Sequence, residues 1–272
     1  MDLTANIKLE RLGFSHKRGG VHTARTMMLA ELRALLSYVE APNAAKSDYL
    51  AAIQTANCLR KRSGKTRTLT YRHLAALYTL DPNFLVFRTL RYFWQRDPEG
   101  QALLALLCGY VRDPILRATA PFVLSLRTGT ILSRDAMEEF IDALEPGRFS
   151  KATLQSTAQN INSTWTQAGH LSGHVRKVRV RPVATPGAVS FGLLLGYVSG
   201  LRGELLFNSD LMRLLDCSVE KSIDLAGIAS LRGWIALKRV GPVVEVLFPN
   251  LITAQEMEWL REPNQASHSL IR

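Results

Sequence analysis

The chain has 272 residues, 47% of them apolar, and its 34 Lys and Arg against 23 Asp and Glu give a formal net charge of +11. Its three cysteines lie far apart, which argues against a disulfide framework, and its six histidines lack metal-ligand spacing on any predicted helix. The longest apolar runs fall short of the ~20 residues of a membrane helix and no secretory signal opens the chain, so we expect a cytoplasmic protein without metal or cofactor.

The first 82 residues are predicted to form a basic helical module. Apolar spacing predicts one helix over 23–39, a second over 47–59, and a third over 71–80 that Thr70 caps; Pro42 is expected to stop the first. A helix, a basic turn and a second helix indicate a nucleic-acid contact. The candidate binding residues of this turn and the following helix are Arg60, Lys61, Arg62, Lys65, Arg67 and Arg72.

The basic turn also contains Ser63-Gly64-Lys65-Thr66, which resembles the end of a phosphate-binding loop. That motif requires a glycine five residues before Gly64, where this chain has Leu59, and a strand where this chain is predicted to be helical. The sequence contains no GxSxG nucleophile elbow either. We therefore predict no catalytic residues and a protein that is not an enzyme.

Residues 83–147 are predicted to form an apolar helical core segment, with helices over 84–95, 101–110, 115–126 and 133–144. The aromatic side chains of the first helix, among them Phe87 and Trp94, share its apolar face. We expect them in the core rather than stacked on bases. Ser133 is predicted to cap the last helix, whose early acidic residues complement its dipole.

Positive charge is concentrated in two blocks of the sequence. Residues 1–80 hold 13 Lys and Arg against 5 Asp and Glu, and residues 148–183 hold 6 against none. No Asp or Glu occurs in the 58 residues from Pro146 to Gly203. Segregated charge of this kind is typical of a surface that binds a polyanion, and nucleic acid is the polyanion we expect.

A helix over 151–168, capped by Ser150, is predicted inside this acid-free window. One of its faces is apolar and is expected to be buried, with Leu154, Ala158, Ile161 and Trp165. The opposite face is polar and uncharged, and includes Gln155, Gln159 and Asn160. Because amides can hydrogen-bond to base edges, we expect this face to lie on DNA.

The strand after this helix carries alternating cations. Lys177, Arg179 and Arg181 are expected on one side of it, with apolar residues on the other. A polar helix followed by a cationic hairpin is the layout of a winged helix-turn-helix, which we predict for residues 148–185; the alternative is an ordinary amphipathic helix beside a surface strand. The candidate contacts of this module are Lys151, Gln155, Gln159, Arg176, Lys177, Arg179 and Arg181.

Residues 186–249 repeat this layout, with predicted helices over 211–215 and 219–231 and a hairpin of two strands over 234–238 and 243–248. Acidic residues surround these helices. This winged-helix-like module is therefore predicted to stabilise the fold or to contact a protein. A short helix over 254–260 and a flexible polar tail are predicted for residues 250–272.

Three short motifs follow one another along the chain, C-terminal to the helical N-terminal half. They are Ser150-Lys151-Ala152-Thr153-Leu154, Thr166-Gln167-Ala168-Gly169-His170-Leu171 and Leu237-Lys238-Arg239-Val240-Gly241-Pro242. In this order of parts, roughly residues 25–249 resemble the BrxA family of bacterial BREX phage-exclusion systems. The resemblance implies a small, non-enzymatic, all-helical DNA-binding component of a phage-defence system that works beside larger methyltransferase, ATPase and phosphatase-like subunits.

The sequence thus predicts a mainly α protein with winged helix-turn-helix modules and short β-hairpin wings. We expect it to bind double-stranded DNA mainly through the phosphates and not to contact a membrane. The resemblance implies other subunits of a phage-defence system as its protein partners. Three alternatives stay open: an RNA-binding helical protein, a scaffold that docks an acidic partner subunit, and a winged-helix transcriptional regulator. The sequence shows no exposed aromatic pair on a sheet for stacking bases, which disfavours RNA.

Overall fold

The computed structural model describes residues 7–41, 43–241 and 243–261. These residues are mainly helical, as predicted, and none of their helices is long and apolar enough to cross a membrane. The helices are α1 (Ile7–Arg11), α2 (Leu29–Tyr38), α3 (Lys46–Gln54), α4 (Gly64–Tyr78), α5 (Leu85–Arg96), α6 (Gln101–Arg112), α7 (Pro114–Ser125), α8 (Arg134–Leu144), α9 (Lys151–Gln167), α10 (Pro186–Val198), α11 (Glu204–Phe207), α12 (Asp210–Arg213), α13 (Val219–Leu231) and α14 (Ala254–Arg261). The strands are β1 (Ile131–Leu132), β2 (Leu171–Ser172), β3 (Lys177–Arg179), β4 (Ala236–Val240) and β5 (Val243–Leu247). Short 3-10 helices lie at Val21–Thr23 and Pro98–Gly100.

The buried apolar side chains form one connected cluster that runs from Leu9 to Leu251. All residues of α6 from Leu103 to Val111 are buried, and α10 packs against α5, α6 and α13. The prediction that the aromatic residues of α5 belong to the core is confirmed for Phe87, which is fully buried, and for Trp94, which is 5% exposed; Tyr92 is partly buried and packs against the same core. The predicted segments meet at residues 82, 147 and 185, and the cluster includes buried residues from both sides of each boundary.

The helix predicted over 23–39 is shorter in the structure, because α2 begins only at Leu29. Met28, just before it, has a φ of +54°, which interrupts the helical backbone. The backbone N–H of Leu29 donates to the side chain of Gln167 on α9 at 3.1 Å. Residues 24–28 therefore form an irregular segment that bonds to α9 instead of to its own helix.

α4 begins earlier than predicted, because Ser63 rather than Thr70 caps it. The hydroxyl of Ser63 accepts a hydrogen bond from the backbone N–H of Thr66 at 3.2 Å, while Thr70 is buried within the helix. Lys65 consequently lies in the first turn of α4 and not in a loop. The preceding helix, α3, ends at Gln54, five residues before the predicted end.

The polar helix α9 and the strands that follow it belong to a continuous series of elements, α7–β1–α8–α9–β2–β3. β3 pairs antiparallel with both β1 and β2, so the order in the sheet is β1-β3-β2. α8 and α9 pack against each other. The predicted caps are confirmed, since Ser133 and Ser150 accept hydrogen bonds from the backbone N–H groups of Ala136 and Thr153.

The C-terminal part contains the second predicted hairpin, formed by β4 and β5. Ser218 caps α13, as predicted, by accepting a hydrogen bond from the third backbone N–H of the helix. The last helix, α14, is held to α5 by an ion pair between Arg88 and the buried Glu256, with 2.7 Å between the charged groups. The predicted helix stop at Pro42 and the predicted tail from residue 262 lie outside the described residues.

Candidate nucleic-acid interface

α9 presents three longitudinal stripes, and the first is buried. Ala158, Ile161 and Trp165 are fully buried, as their spacing predicts, whereas Leu154 is only partly buried against the core. The ring of Trp165 meets that of His170 edge-on, with 4.9 Å between the ring centroids. This stripe fixes α9 against the core, so the other two stripes decide what the helix can bind.

The second stripe of α9 is covered by residues 21–29 of the same chain. Asn160 donates from Nδ2 to the carbonyl oxygen of His22 at 3.0 Å, and Thr164 accepts from the backbone N–H of Met27 at 2.9 Å. The prediction that Asn160 faces DNA is therefore wrong, because its amide is used within the protein. Asn160 and His22 are separated by more than 130 positions in the chain, so the local pattern of residues could not reveal their contact.

The third stripe of α9 carries Gln155 and Gln159, one helical turn apart. Gln159 is exposed and Gln155 is half-buried, and no described residue forms a hydrogen bond with either amide. Lys151 lies exposed in the first turn of the same helix. Because these side chains offer hydrogen-bonding groups and a positive charge but no acid, they suit a partner that is polar and negatively charged.

Arg179 lies inside the protein, and its predicted place on a cationic edge is wrong. Its side chain is 3% exposed and donates to the carboxylate of Asp216 at 2.7 Å. The guanidinium also donates to the carbonyl oxygens of Val123 at 3.1 Å and His170 at 3.3 Å. Arg179 thus ties β3 to α7 and to the loop before α13. Alternation along a strand cannot reveal a carboxylate 37 positions away.

His170, just beyond the end of α9, is also internal. It is fully buried, and its Nε2 donates to the carbonyl oxygen of Leu214 at 2.9 Å. Burial lowers the pKa of His170 to about 4, so the ring is neutral at pH 7. His174 is exposed instead. Among the described residues, no group of three or more His, Cys, Asp or Glu is arranged to hold a metal ion.

The other cations of the β2–β3 hairpin remain at the surface. Arg176 and Arg181 are exposed, and neither forms an ion pair with a described acid. Lys177 is half-buried and donates to the carbonyl oxygen of Gly173 at 2.8 Å, and burial lowers its pKa. Gly173 has a φ of +92°, a conformation that glycine adopts without strain. The hairpin therefore offers Arg176 and Arg181 to an external anion.

The second predicted surface surrounds the start of α4. Two of its six candidates are less available to an external anion. Lys61 forms an ion pair with Glu31 at 3.0 Å, and Arg67 is half-buried. The other four are exposed and available to an anion: Arg60, Arg62, Lys65 and Arg72.

A cleft of about 580 Å³ lies between α4 and the residues around 13–21. Lys17 lines it from the N-terminal segment, and Arg72 lines it from α4. Arg112 and Asp113, from the end of α6 and the start of α7, line it as well. The cleft places a cation of the N-terminal segment near one of the predicted binding residues. Residues 12–20 have no helical periodicity, so the position of Lys17 could not be predicted from the residue pattern.

The chain matches no protein-family model, and no curated protein is significantly similar to it.

Proposed function

We propose that residues 114–181 form a winged helix-turn-helix module that binds double-stranded DNA. In this module α9 is the recognition helix, α8 is its supporting helix, and the β2–β3 hairpin is the wing. The proposal is supported by the order of the elements, since a supporting helix precedes the polar helix and a cationic hairpin follows it directly. β1 completes the module by pairing with β3.

The observation that carries this proposal is the combination of a free polar stripe on α9 with exposed hairpin cations. Gln155 and Gln159 form no hydrogen bond with any described residue, and Arg176 and Arg181 form no ion pair with a described acid. No acid of the window from Pro146 to Gly203 opposes them, because the window has none. Cations would meet phosphates, and the two amides would meet base edges.

The phosphate contacts dominate the expected affinity. If about six cations each neutralise a phosphate, the logarithm of the association constant falls with the logarithm of the salt concentration at a slope of about −5. Affinity would then drop on the order of 1,000-fold between 50 and 200 mM salt. Because only two free amides lie on the third stripe, sequence preference is expected to be modest.

The biological setting of the proposal rests on the resemblance to the BrxA family. In that setting the chain is a non-enzymatic DNA-binding component of a BREX-like phage-defence system. The three motifs quoted above support it, and the other subunits of such a system would be the protein partners. The DNA-binding part of the proposal stands on the structural observations and is tested separately.

The test is a titration of a fluorescent mixed-sequence duplex at several salt concentrations. The test variant is R176E/R181E, which reverses two wing charges and leaves the buried Arg179 intact. The matched control is K221E/R232E, which makes the same change of charge at two exposed positions of the C-terminal module. We expect the test variant to bind more weakly, with a slope less steep by about 2, and the control to stay close to wild type.

Other outcomes favour the other candidate functions. Equal weakening by both variants would indicate a general attraction of charge and not a wing contact. Tighter binding to structured RNA than to the duplex would favour an RNA-binding protein. No binding to the duplex at low salt would overturn the proposal and favour docking to an acidic subunit.

A further inference from the structure

The segment that covers the second stripe of α9 is held firmly by buried contacts. His22 is fully buried, with its Nδ1 2.9 Å from the carboxylate of Asp113 and its Nε2 3.1 Å from the hydroxyl of Thr164. The same carboxylate accepts the backbone N–H of Val21 at 2.6 Å. Residues on either side of His22 are consequently fixed in position relative to both α7 and α9.

This segment carries exposed cations that belong to neither predicted surface. The carbonyl oxygen of Arg18 accepts a hydrogen bond from Arg148 at 2.5 Å, which places Arg18 beside the loop that leads into α9. On the other side of His22, the hydroxyl of Tyr78 on α4 donates to the carbonyl oxygen of Met27 at 2.5 Å, which holds the backbone two positions after Arg25 against α4. Both arginines are exposed.

The two predicted surfaces therefore lie on either side of the same segment. The 3-10 helix Val21–Thr23 contacts both α4 and α9. On α4, Lys65 and Arg72 are exposed and two helical turns apart, so they project from one side with roughly 10 Å between them along the axis. On α9, Lys151 is exposed in the first turn. Arg18 precedes this 3-10 helix and Arg25 follows it, so the two exposed arginines flank the point where the segment contacts both helices.

Acidic side chains do little to neutralise this region. Glu145 is paired with Arg148 at 2.6 Å, and Asp113 is buried against His22. Glu10, which lines the cleft beside Lys17, lies 3.8 Å from His16. Neither Arg18 nor Arg25 forms an ion pair with a described acid, so both charges are available to an external partner.

We infer that Arg18 and Arg25 contact the phosphates of the same DNA duplex and join the α4 surface and α9 into one continuous interface. This inference rests on the proposed function, because it assigns further contacts to the same partner. A duplex suits the surface because it is a stiff rod with about one phosphate charge per 1.7 Å of axis, so cations on two helices and a fixed segment meet it together.

The test compares R18E/R25E with wild type in the same duplex titration. Among the described residues, the side chain of Arg25 hydrogen-bonds only to the adjacent carbonyl oxygen of Ala24, and Arg18 contributes its backbone carbonyl to the fold. The variant is therefore expected to keep its thermal midpoint. We expect weaker binding, a salt slope less steep by about 2, and recovery in R18K/R25K, which keeps both charges. The pair K221E/R232E is again the control for the change of net charge.

The failure of this inference can be told apart from the failure of the proposed function. Wild-type affinity and slope in R18E/R25E, with weakened binding in R176E/R181E, would overturn the inference and leave the DNA-binding wing in place. Loss of affinity in R18K/R25K as large as in R18E/R25E would also overturn it, because charge would not be the cause. Absence of duplex binding by the wild type would overturn both.

Discussion

Arg179 offers the sharpest test of how the hairpin is built, because it is a buried cation in a strand expected to face DNA. Arg179→Met removes the guanidinium that donates to Asp216 at 2.7 Å and to the carbonyl oxygens of Val123 and His170. The flexible Met side chain fills much of the space. The carboxylate of Asp216 is left without its partner, whereas the carbonyl oxygens of Val123 and His170 keep the backbone N–H groups of Leu126 and Val180.

The magnitude follows from the burial of the two partners. Removing one partner of a buried ion pair costs about 3–5 kcal/mol, because the other charge stays uncompensated. The side chain of Asp216 is 19% exposed, so water solvates part of its charge. We therefore expect Arg179→Met to lower the free energy of unfolding by about 3 kcal/mol.

The assay is urea unfolding followed by circular dichroism and tryptophan fluorescence. Arg181→Met is the matched control, since Arg181 is two positions away and exposed, and it should change the free energy of unfolding by less than about 0.5 kcal/mol. Asp216→Asn and the double variant complete a cycle. The double variant should lose less than the sum of the two single losses, by roughly 1–3 kcal/mol.

One result would refute this assignment of Arg179. If Arg179→Met unfolds at the same urea concentration as wild type but loses duplex affinity, the guanidinium contacts DNA and is not a structural tie. The same logic explains why charge reversals meant to test the wing must leave Arg179 unchanged. A Glu at position 179 would face Asp216 in the interior, and weaker binding would then report unfolding.

Three further predictions concern the turn, the hairpin and the anchored segment. His170 has a folded pKa of about 4 against an ordinary value of 6.5, so the neutral ring contributes its full stabilisation above pH 6.5 and loses it as the pH falls toward 4. This contribution to the free energy of unfolding is roughly 3 kcal/mol. In urea unfolding, His170→Gln should therefore show a flatter pH dependence over this range than wild type. Gly173→Ala should destabilise the hairpin and weaken duplex binding without changing charge, because its Cβ would lie 2.2 Å from the carbonyl oxygen of Arg176 at a φ of +92°; thermal unfolding and the duplex titration measure both effects. Asp113→Ala removes the cap of α7 and the partner of His22, so we expect a loss of about 2–4 kcal/mol and faster tryptic cleavage at Arg18 and Arg25; unchanged cleavage would mean that other contacts hold the segment.

Features set by local chemistry could be predicted from the sequence. The caps at Ser133, Ser150 and Ser218 and the buried stripe of α9 depend on residues within a few turns of one another. The β4–β5 hairpin has the same local character. These elements are confirmed with boundaries shifted by only a few residues.

Features set by distant partners could not be predicted. The first part of the helix expected over 23–39 is replaced by a segment whose backbone hydrogen-bonds to the side chains of Thr164 and Gln167. The apolar periodicity of residues 23–39 cannot show that these distant side chains compete with the helical hydrogen bonds. Arg179 alternates with apolar residues along its strand, which predicts a surface cation, yet its side chain is buried in an ion pair with Asp216. The early start of α4 is a different case, because its cap, Ser63, is local. Apolar spacing alone points to Thr70 as the cap, since the regularly spaced apolar residues of the helix follow that position.

The division of α9 into three stripes limits how the proposed DNA contact can work. Because the second stripe is occupied by residues 21–29, only Gln155 and Gln159 have free amides to face base edges. Each well-placed bidentate amide discriminates against a wrong base by about 1–3 kcal/mol, whereas several phosphate contacts bind every sequence alike. A protein built in this way would hold DNA tightly at low salt with little preference for sequence. Its place on a genome would then depend on partner subunits more than on its own base contacts.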